Sequence, residues 1–553
     1  MLNFQRRFLP GCLVRGLIAC SLACPAWSQQ VQDRGVLPAG EVPCVPIERI
    51  TLEGEAVADF AWVLDAAHRT PDGRADPAVP RCLGSEAIAG ITRRLQDALI
   101  GRGFVTSRVL VPTQDLGSGL LRLAVLPGRV GAIRIEHDAL GRGTGWNALP
   151  LQSGQVLNLR DLEQGLENFQ RVPSVQADIQ IAPSEPTPDR PEVRPGDSDL
   201  SVRWSQGLPF RLGLSVDDGG ARATGRYQGA LTFSYDNALD LNDLFYITIQ
   251  GSLRGDPGGE VEVPAAHGNR GRTLHYSLPW GRWLLALQAS QQDYRQVVAG
   301  ATQAYVYRGE IRQRDLRLSR LVHRDAVSKT HLSVRGWSRQ SGNFIDDTEI
   351  EVQRRRTAGW ELGAQHQRTV GATALSLGIA YRRGTGAAGA LAAPEDAFGE
   401  GASRPRILSA DLSVSLPLRA SAPGVRYGAV ASAQWSQQPL VPQDRFAIGG
   451  RHSVRGFDGE RSLSAARGWW LRQELQWAVA ASGQSLYLGL DHGEVGGAAS
   501  ESLAGTRLTG AVIGLRGTWR RASWDLFAAR PVKKPEMFRT ADRTAGFSLQ
   551  VSF

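Results

Sequence analysis

Residues 446–475 read FAIGGRHSVRGFDGERSLSAARGWWLRQEL, and both ends of this stretch alternate as β-strands do. Its middle is rich in glycine and surrounds the tetrad Val454, Arg455, Gly456 and Phe457. This composition favours a long structured loop near residues 449–468 over a tight turn. The guanidinium fork of Arg455 can be held against a carboxylate by two hydrogen bonds. The nearest suitable carboxylate, on the following predicted strand, belongs to Asp491.

Apolar and polar residues alternate from Gly207 to Phe553, with polar connections between the alternating segments. In the closing segment Phe547, Leu549, Val551 and Phe553 share one face, and the residues between them are polar. Because lipid tolerates no unpaired strand edge, this pattern is typical of a membrane β-barrel. At roughly 20 to 22 residues for each strand and its connection, the segment predicts about 16 strands.

The beginning of the chain predicts export. Arg6 and Arg7 precede an apolar run, and AWS at 26–28 fits a cleavage site, so residues 1–28 are interpreted as a signal peptide. The sequence LIAC at 17–20 leaves a lipoprotein signal as the alternative. Residues 29–43 carry two prolines and predict a short flexible lead. No later run reaches the ~20 apolar residues that a membrane helix needs.

Five cysteines are present, and only Cys44 and Cys82 lie beyond the signal peptide. An even number of cysteines in an oxidising compartment predicts one disulfide. Closing a loop of this length stabilises a fold by roughly 3 to 4 kcal/mol in the chain-entropy model. Neither a C-x-x-C motif nor a cluster of metal ligands accompanies the two residues, so no metal site is predicted.

Two small α+β units are predicted between the lead and the barrel, over residues 44–128 and 129–206. The first has a strand over 47–52, a helix over 85–102 with Ser85 as its N-cap, and strands over 104–111 and 120–126. The second repeats this order, with a strand over 130–136, a helix capped by Asn158, and strands over 175–181 and 200–204.

Several quoted stretches resemble the outer-membrane transporters of two-partner secretion (TpsB type), which are the hemolysin and filamentous-hemagglutinin secretion proteins. They are IGG and RHSVRGFDGE in the loop, RCLG at 81–84, VLPGRV at 125–130 and LRDLEQGLEN at 159–168. The likeness runs from about Cys44 to Phe553. It implies that the two small units are POTRA domains, that Arg455 pairs with Asp491 on the inner barrel wall, and that Phe553 belongs to a barrel assembly signal.

The resemblance also implies a location and a function. The fold would be an all-β membrane protein with α+β periplasmic domains, in the outer membrane of a Gram-negative bacterium. Its expected partner is a large β-helical exoprotein, an adhesin or hemolysin, captured through an N-terminal secretion domain and exported. Outer-membrane lipid and the barrel assembly machinery are the other expected partners. At ~1.5 Å per residue, the lead is too short for the pore-spanning plug helix of many members. A membrane-protein insertase and a passive porin remain the alternatives.

Other signals in the chain favour plainer interpretations. The net charge of +9 comes with only three lysines and with dispersed arginines, which argues against nucleic acid as a partner. GTGAAG at 384–389 lacks the strand-turn-helix frame of a dinucleotide site, so no cofactor is predicted, and no motif indicates an enzyme. The acid pairs at 217–218 and 346–347 are predicted to be solvated. The same is predicted for the arginines at 354–356, with acidic lipid headgroups or substrate as the alternative ligand.

Overall fold

The computed structural model describes residues 35–55, 57–137, 143–188, 190–254, 267–418, 424–479, 482–498 and 500–553. The predicted signal peptide and the first residues of the lead, 29–34, lie outside these ranges. Among the described residues, no helix is both long and apolar enough to cross a membrane.

The first α+β unit follows the predicted order, with a divided first strand. A parallel pairing of β2 (Arg49–Glu53) with β5 (Leu120–Leu126) and an antiparallel pairing of β4 (Arg108–Leu110) with β5 make one sheet, while β1 (Val45–Ile47) pairs separately with β3 (Arg81–Leu83). The strand predicted over 47–52 is split at Glu48, whose N–H donates to the carbonyl of Gly119. The elements are β1 Val45–Ile47, β2 Arg49–Glu53, α1 Val57–Phe60, β3 Arg81–Leu83, α2 Ser85–Gly101, β4 Arg108–Leu110 and β5 Leu120–Leu126.

The N-terminus of α2 is capped by the lead and not by Ser85. The carboxylate of Glu41 accepts hydrogen bonds from the N–H groups of Gly84, Glu86 and Ala87 at 3.0, 2.8 and 3.0 Å. The predicted cap was therefore wrong, because a carboxylate distant in sequence satisfies the free N–H groups of the first turn. Nearby, Cys44 and Cys82 form a disulfide with a Cα–Cα distance of 5.4 Å, which joins the start of β1 to β3.

The second α+β unit is a three-stranded sheet covered by one main helix. Its middle strand, β8 (Ser198–Gln206), pairs with β6 (Val130–His137) in parallel and with β7 (Val175–Pro183) antiparallel. Asn158 caps the main helix as predicted, since its side chain accepts from the N–H of Arg160. Phe169, Val202 and Trp204 are buried between helix and sheet. The elements are β6 Val130–His137, α3 Gly145–Ala148, α4 Leu159–Gln170, β7 Val175–Pro183 and β8 Ser198–Gln206.

The remaining chain forms a closed antiparallel barrel of sixteen strands. The two-residue β16 (Thr348–Glu349) pairs with the end of β15 (Ser328–Ile345), and β15 also pairs directly with β17 (Arg355–Val370), so β16 is not counted. β27 pairs with β9 to close the ring. The barrel strands are β9 Phe210–Asp217, β10 Tyr227–Asp236, β11 Leu244–Arg254, β12 Gly268–Trp280, β13 Trp283–Ala299, β14 Ala304–Arg324, β15 Ser328–Ile345, β16 Thr348–Glu349, β17 Arg355–Val370, β18 Thr373–Thr385, β19 Arg406–Pro417, β20 Val425–Trp435, β23 Arg467–Val479, β24 Gln484–Gly496, β25 Arg507–Trp519, β26 Ala522–Lys533 and β27 Thr544–Ser552.

Successive residues of each strand face opposite sides of the barrel wall. On β14, Leu316 and Leu318 are 50% and 42% exposed on the outer surface. Asp315 faces the lumen instead, where it accepts from the guanidinium of Arg335 at 2.8 Å. Apolar side chains therefore face lipid while charges pair inside, as the sequence pattern predicts for a membrane barrel. We call the end that contacts the second α+β unit the domain-side end, and the opposite end the far end.

Candidate functional site

The connection between β20 and β23, residues 436–466, turns back into the barrel from the far end. It contains a short hairpin of β21 Phe446–Ile448 and β22 Leu463–Ala465. The tetrad predicted from the sequence lies at its inner tip, and all four residues are buried. We call residues 436–466 the inner loop.

Arg455 binds Asp491 on the inner face of β24. Its Nε donates to Asp491 Oδ2 at 2.7 Å, and its Nη2 donates to Oδ1 at 2.8 Å. The backbone N–H of Arg455 donates to the same carboxylate at 3.0 Å. The side chains of Arg455 and Asp491 are 4% and 0% exposed. A bidentate, fully buried pair of this kind fixes both the position and the orientation of the loop.

Glu474 on β23 extends this pair into a network that the sequence analysis missed. Its carboxylate accepts from Nη1 of Arg455 and, at 2.7 Å, from Nη2 of Arg516 on β25. The guanidinium of Arg516 lies 3.8 Å from the ring centroid of Tyr487. Strand alternation places Glu474 on the lumen face, but only the fold of the loop brings it to Arg455.

Two glycines allow the loop to lie directly against the wall. Gly456 has φ 107°, and a Cβ there would lie 2.5 Å from the carbonyl oxygen of Arg530 on β26. A Cβ on Gly510 of β25 would lie 1.7 Å from the carbonyl oxygen of Arg455. Any other residue at either position would push the backbones apart. The close approach of loop and wall therefore depends on glycine on both sides.

The other two residues of the tetrad anchor the loop by apolar packing. Val454 and Phe457 are 0% and 4% exposed. Phe457 packs edge-on against Phe538, with ring centroids 5.8 Å apart. They share a buried cluster with residues of β21, β22, β24 and β25. The tip is thus held by buried charge on one side and by apolar contacts on the other.

Two further ion-pair sites attach the inner loop to the barrel. Asp444 accepts from Nη2 of Arg339 at 2.8 Å and lies 3.7 Å from Nη2 of Arg382. On the opposite side, Arg451 lies 3.4 Å from Asp217 and 3.0 Å from Asp218. The prediction that residues 217–218 are solvated was wrong for Asp218, whose side chain is 6% exposed because Arg451 and the neighbouring strand cover it.

Arg451 also reaches the strands that close the barrel. Its Nη2 donates to the carbonyl of Phe547 on β27 at 3.2 Å, while Asp217 ends β9. At the other end of this seam, the N–H of Phe553 donates to the carbonyl of Leu212 at 2.8 Å. The inner loop and the terminal residue therefore both contact the junction of the first and last strands.

A second polar contact surface joins α4 to the domain-side turns of the barrel. Arg324 donates to Glu163 and Glu167 at 3.2 and 2.6 Å, and Lys329 donates to Glu167 at 2.6 Å. Burial raises the pKa of the Glu167 carboxyl, but the hydrogen bonds and charges of Lys329 and Arg324 outweigh it and leave the pKa below its ordinary value. Arg282, on the turn between β12 and β13, contacts Asp161 of α4 at 2.5 Å.

The sheet of the second unit keeps a strand edge available. β7 pairs with β8 on one side, and within the described residues no strand pairs with its other side. Gln176, Asp178 and Gln180 on β7 are exposed. A free edge of this kind can add an extended peptide by backbone hydrogen bonds. Among the described residues, no group of three or more His, Cys, Asp or Glu side chains is placed to hold a metal ion.

Three family models match the chain. Residues 196–517 match the model described as "Haemolysin secretion/activation protein ShlB/FhaC/HecB". Residues 45–128 match "POTRA domain, ShlB-type", and residues 129–183 match "POTRA domain".

Known proteins and solved structures are similar over almost the whole chain. Outer membrane transporter CdiB-2 of Burkholderia pseudomallei is 35% identical over 530 residues, which is 94% of this chain and 88% of that relative. Hemolysin transporter protein ShlB of Serratia marcescens is 25% identical, over 84% of this chain and 80% of that relative. The structure of CdiB from Acinetobacter baumannii superposes with a TM-score of 0.80 at 31% identity, covering 95% of this chain and 92% of that one.

Proposed function

The chain belongs to the ShlB/FhaC/HecB family of haemolysin secretion/activation proteins, and from this membership we propose how its parts export a partner exoprotein. It is an outer-membrane transporter of two-partner secretion, and its POTRA domains are periplasmic. The domain-side end of the barrel is therefore periplasmic, and the far end is extracellular.

We assign the capture step to residues 44–128 and 129–206, after removal of residues 1–28 as the signal peptide. An unfolded N-terminal secretion domain of the partner adds to the free edge of β7 as an extra strand. The exposed polar residues of β7 support this step, because backbone pairing requires an accessible edge rather than an apolar surface. α4 holds this edge at the periplasmic mouth through its ion pairs with Arg324, Lys329 and Arg282.

The transport step belongs to residues 207–553. The partner chain crosses the lumen in an extended form, and its folding into a β-helix outside prevents its return. No chemical step and no cofactor is part of this mechanism. Phe553, at the end of β27, serves as the signal to the barrel assembly machinery, and the apolar outer face meets outer-membrane lipid.

The single observation that carries the mechanism is the buried network of Arg455, Asp491 and Glu474. An inner loop that is fixed inside the lumen by paired charges occupies the route of the exported chain. We assign it the role of keeping the lumen organised for one extended polypeptide, with Arg455 as the positioning residue. CdiB-2 is 35% identical to this chain and the haemolysin transporter ShlB is 25% identical. We therefore propose that the partner is an exoprotein of the kind that CdiB-type transporters export.

Site-specific photo-crosslinking of the full chain in its native host tests the capture step. A photoreactive amino acid replaces Gln180 on the free edge of β7. The matched control carries it at Arg93, which is exposed on α2 of the first domain. The proteins joined at each position are then identified.

We expect Gln180 to yield one large exoprotein, joined through its N-terminal region, and Arg93, which lies away from the free edge of β7, to yield clearly less of it. A mixture of unfolded barrel proteins at Gln180 would instead indicate an insertase. Absence of the exoprotein at Gln180 during active export would remove capture at this edge from the mechanism.

A further inference from the structure

Three exposed arginines lie on adjacent strands on the outer surface of the barrel, toward its extracellular end. They are Arg356 on β17, Arg383 on β18 and Arg406 on β19, and we call them the outer arginine belt. Arg383 and Arg406 are direct register partners across their strands. None of the three belongs to the inner loop network.

Strand alternation fixes the outward direction of the belt. Arg382 lies 3.7 Å from Asp444 of the inner loop, so its side chain faces the lumen and that of Arg383 faces outward. Thr357 pairs in register with Arg339, which also reaches Asp444 in the lumen. The preceding residue, Arg356, therefore faces outward as well.

Aromatic and apolar side chains lie level with Arg383 and, further along the strands, on the periplasmic side of the belt. Trp360 is the register partner of Arg383, and its ring centroid lies 5.8 Å from that of Tyr381. Further toward the periplasm on the same face, Leu362 and Ile379 are 49% and 47% exposed. Aromatic girdles mark the boundary between the apolar band of a membrane barrel and the headgroup region. The belt consequently lies at headgroup depth in the outer leaflet.

The belt lacks the neutralising partners that neighbouring arginines have. Arg354 donates to Glu349 at 2.8 Å, and Arg355 donates to Glu395 at 2.5 Å. Within the part of the chain that the structure describes, no side-chain acceptor or carboxylate contacts the guanidinium groups of the belt. Two like charges directly opposite on neighbouring strands are destabilising unless an anion lies between them. The arrangement of Arg383 and Arg406 therefore favours an external anionic group.

We propose that the outer arginine belt binds the phosphate groups of the phosphorylated glycolipid that forms the outer leaflet. Arginine presents a planar donor fork that matches phosphate oxygens in pairs. The acyl chains of the same lipid would then lie along Tyr381, Leu362 and Ile379, on the periplasmic side of the belt. The combination of phosphate donors above and an apolar strip below selects a lipid over free inorganic phosphate, which can use only the donors.

Binding measurements on the purified full-length protein in detergent test this assignment. The probes are bisphosphorylated lipid A, the same lipid without phosphates, and inorganic phosphate. The test variant is R356Q/R383Q/R406Q. The control variant is R320Q/R368Q/R521Q, which removes three exposed arginines from the periplasmic end of the same barrel. Affinity is measured by native mass spectrometry titration, and heat-modifiable migration verifies that each barrel is folded.

We expect the unaltered protein to prefer the bisphosphorylated lipid. Each arginine at a charged lipid surface contributes about fivefold in affinity, so the test variant loses about 100-fold and the control variant stays within about threefold. If the triple variant fails to fold, R383Q/R406Q is used, with an expected loss of about 25-fold. Equal binding of the two lipids, an equal loss in the control variant, or displacement by equimolar inorganic phosphate would overturn the proposal.

Discussion

Arg455 faces two carboxylates inside the barrel, Asp491 at 0% and Glu474 at 12% side-chain exposure. A second cation, Arg516, balances the charge through Glu474. Buried ion pairs add little net stability, since desolvation offsets the attraction, but removing one partner leaves a buried charge unpaired. The network therefore specifies where the loop lies more than it stabilises the barrel.

Replacement of Arg455 by alanine tests this role. Leaving Asp491 unpaired costs about 3 to 5 kcal/mol, which shifts the docking equilibrium of the inner loop by more than roughly 100-fold. The barrel strands keep their backbone hydrogen bonds. We expect export of the partner to fall by about tenfold or more while the amount of folded barrel stays within about twofold. Partner in the medium and heat-modifiable barrel are measured in parallel.

Arg317 is the matched control for this change, because it also faces the lumen and lies 3.5 Å from Glu361 but contacts no residue of the inner loop among those described. R317A should leave export close to normal. A parallel loss of folded barrel and of export in R455A would instead make Arg455 a purely structural residue.

At the residue level, the sequence indicates the pairing partner of Arg455 but not its full surroundings. Strand alternation predicts which side chains of a neighbouring strand face the lumen, and a carboxylate on that face, such as Asp491, can be identified as a partner. Glu474, Asp444 and Arg451 are equally important for the geometry and were missed. Their contacts depend on the path of a loop of some thirty residues, which no periodic pattern specifies.

The helix α4 connects the capture domain to the pore, and Glu167 is its central acceptor. Lys329 and Arg324 keep the pKa of Glu167 below the free value of 4.5. A lowered pKa means that the contact is fully present above pH 4.5 and is lost as the pH falls through the lowered value. The domain-to-barrel contact should accordingly weaken in strong acid and remain intact at neutral pH.

E167Q should weaken this contact at pH 7. The ion pair is partly exposed, so we expect amide hydrogen exchange in α4 of the full chain to become roughly fivefold faster. As the pH falls below 4.5 and through the lowered pKa of Glu167, the unaltered protein should approach the variant, because the carboxylate becomes protonated. Exchange detected by mass spectrometry at pH 7 and over this acidic range measures this.

E136Q is the control for this measurement, since Glu136 lies on β6 and pairs with Arg203 within the same domain at 3.7 Å. Its exchange in α4 should match that of the unaltered protein. An α4 exchange rate in E167Q that equals the unaltered rate at pH 7 would show that the ion pairs do not hold the helix.

Among the elements, helices and barrel strands were predictable where a repeating pattern existed. Asn158 was identified as a cap because it immediately precedes its helix. Ser85 does not cap α2, because Glu41 of the lead accepts from the N–H groups of the first turn. The disulfide between Cys44 and Cys82 joins the chain just after Glu41 to the chain just before α2. The division of the first strand at Glu48 likewise arises from a tertiary hydrogen bond to Gly119.

In the whole molecule, the seam between β9 and β27 closes the ring. It is the shortest pairing between neighbours among the sixteen counted strands of the barrel. It runs only from Asp217 opposite Ser548 to Gly213 opposite Ser552. Lateral release of a protein into the membrane would require this seam to open. Export through the lumen would not, so the seam separates a transporter from an insertase.

A disulfide across the seam tests this distinction. G213C/S552C joins two register partners, and a Cβ at Gly213 has an ordinary 3.7 Å contact with Thr232. Paired positions in an antiparallel sheet are within disulfide distance. We expect export in the oxidised variant to stay within about twofold of the reduced variant. The control S523C/Q550C places the same bond between β26 and β27. Export blocked by oxidation only in the seam variant, and restored by reductant, would show that the seam must open.

The sequence by itself determined the class of protein, the two α+β units, a barrel of about 16 strands and, as a hypothesis, the pairing of Arg455 with Asp491. These follow from local periodicity, from glycine and cysteine placement, and from family likeness, all of which are properties of neighbouring residues. Only the tertiary structure decided that Glu474 completes the buried network, that Asp218 is covered by Arg451, and that three arginines with no carboxylate partner among the described residues lie close together on the outer wall. Such contacts depend on strand register and loop path, through which residues hundreds of positions apart become neighbours.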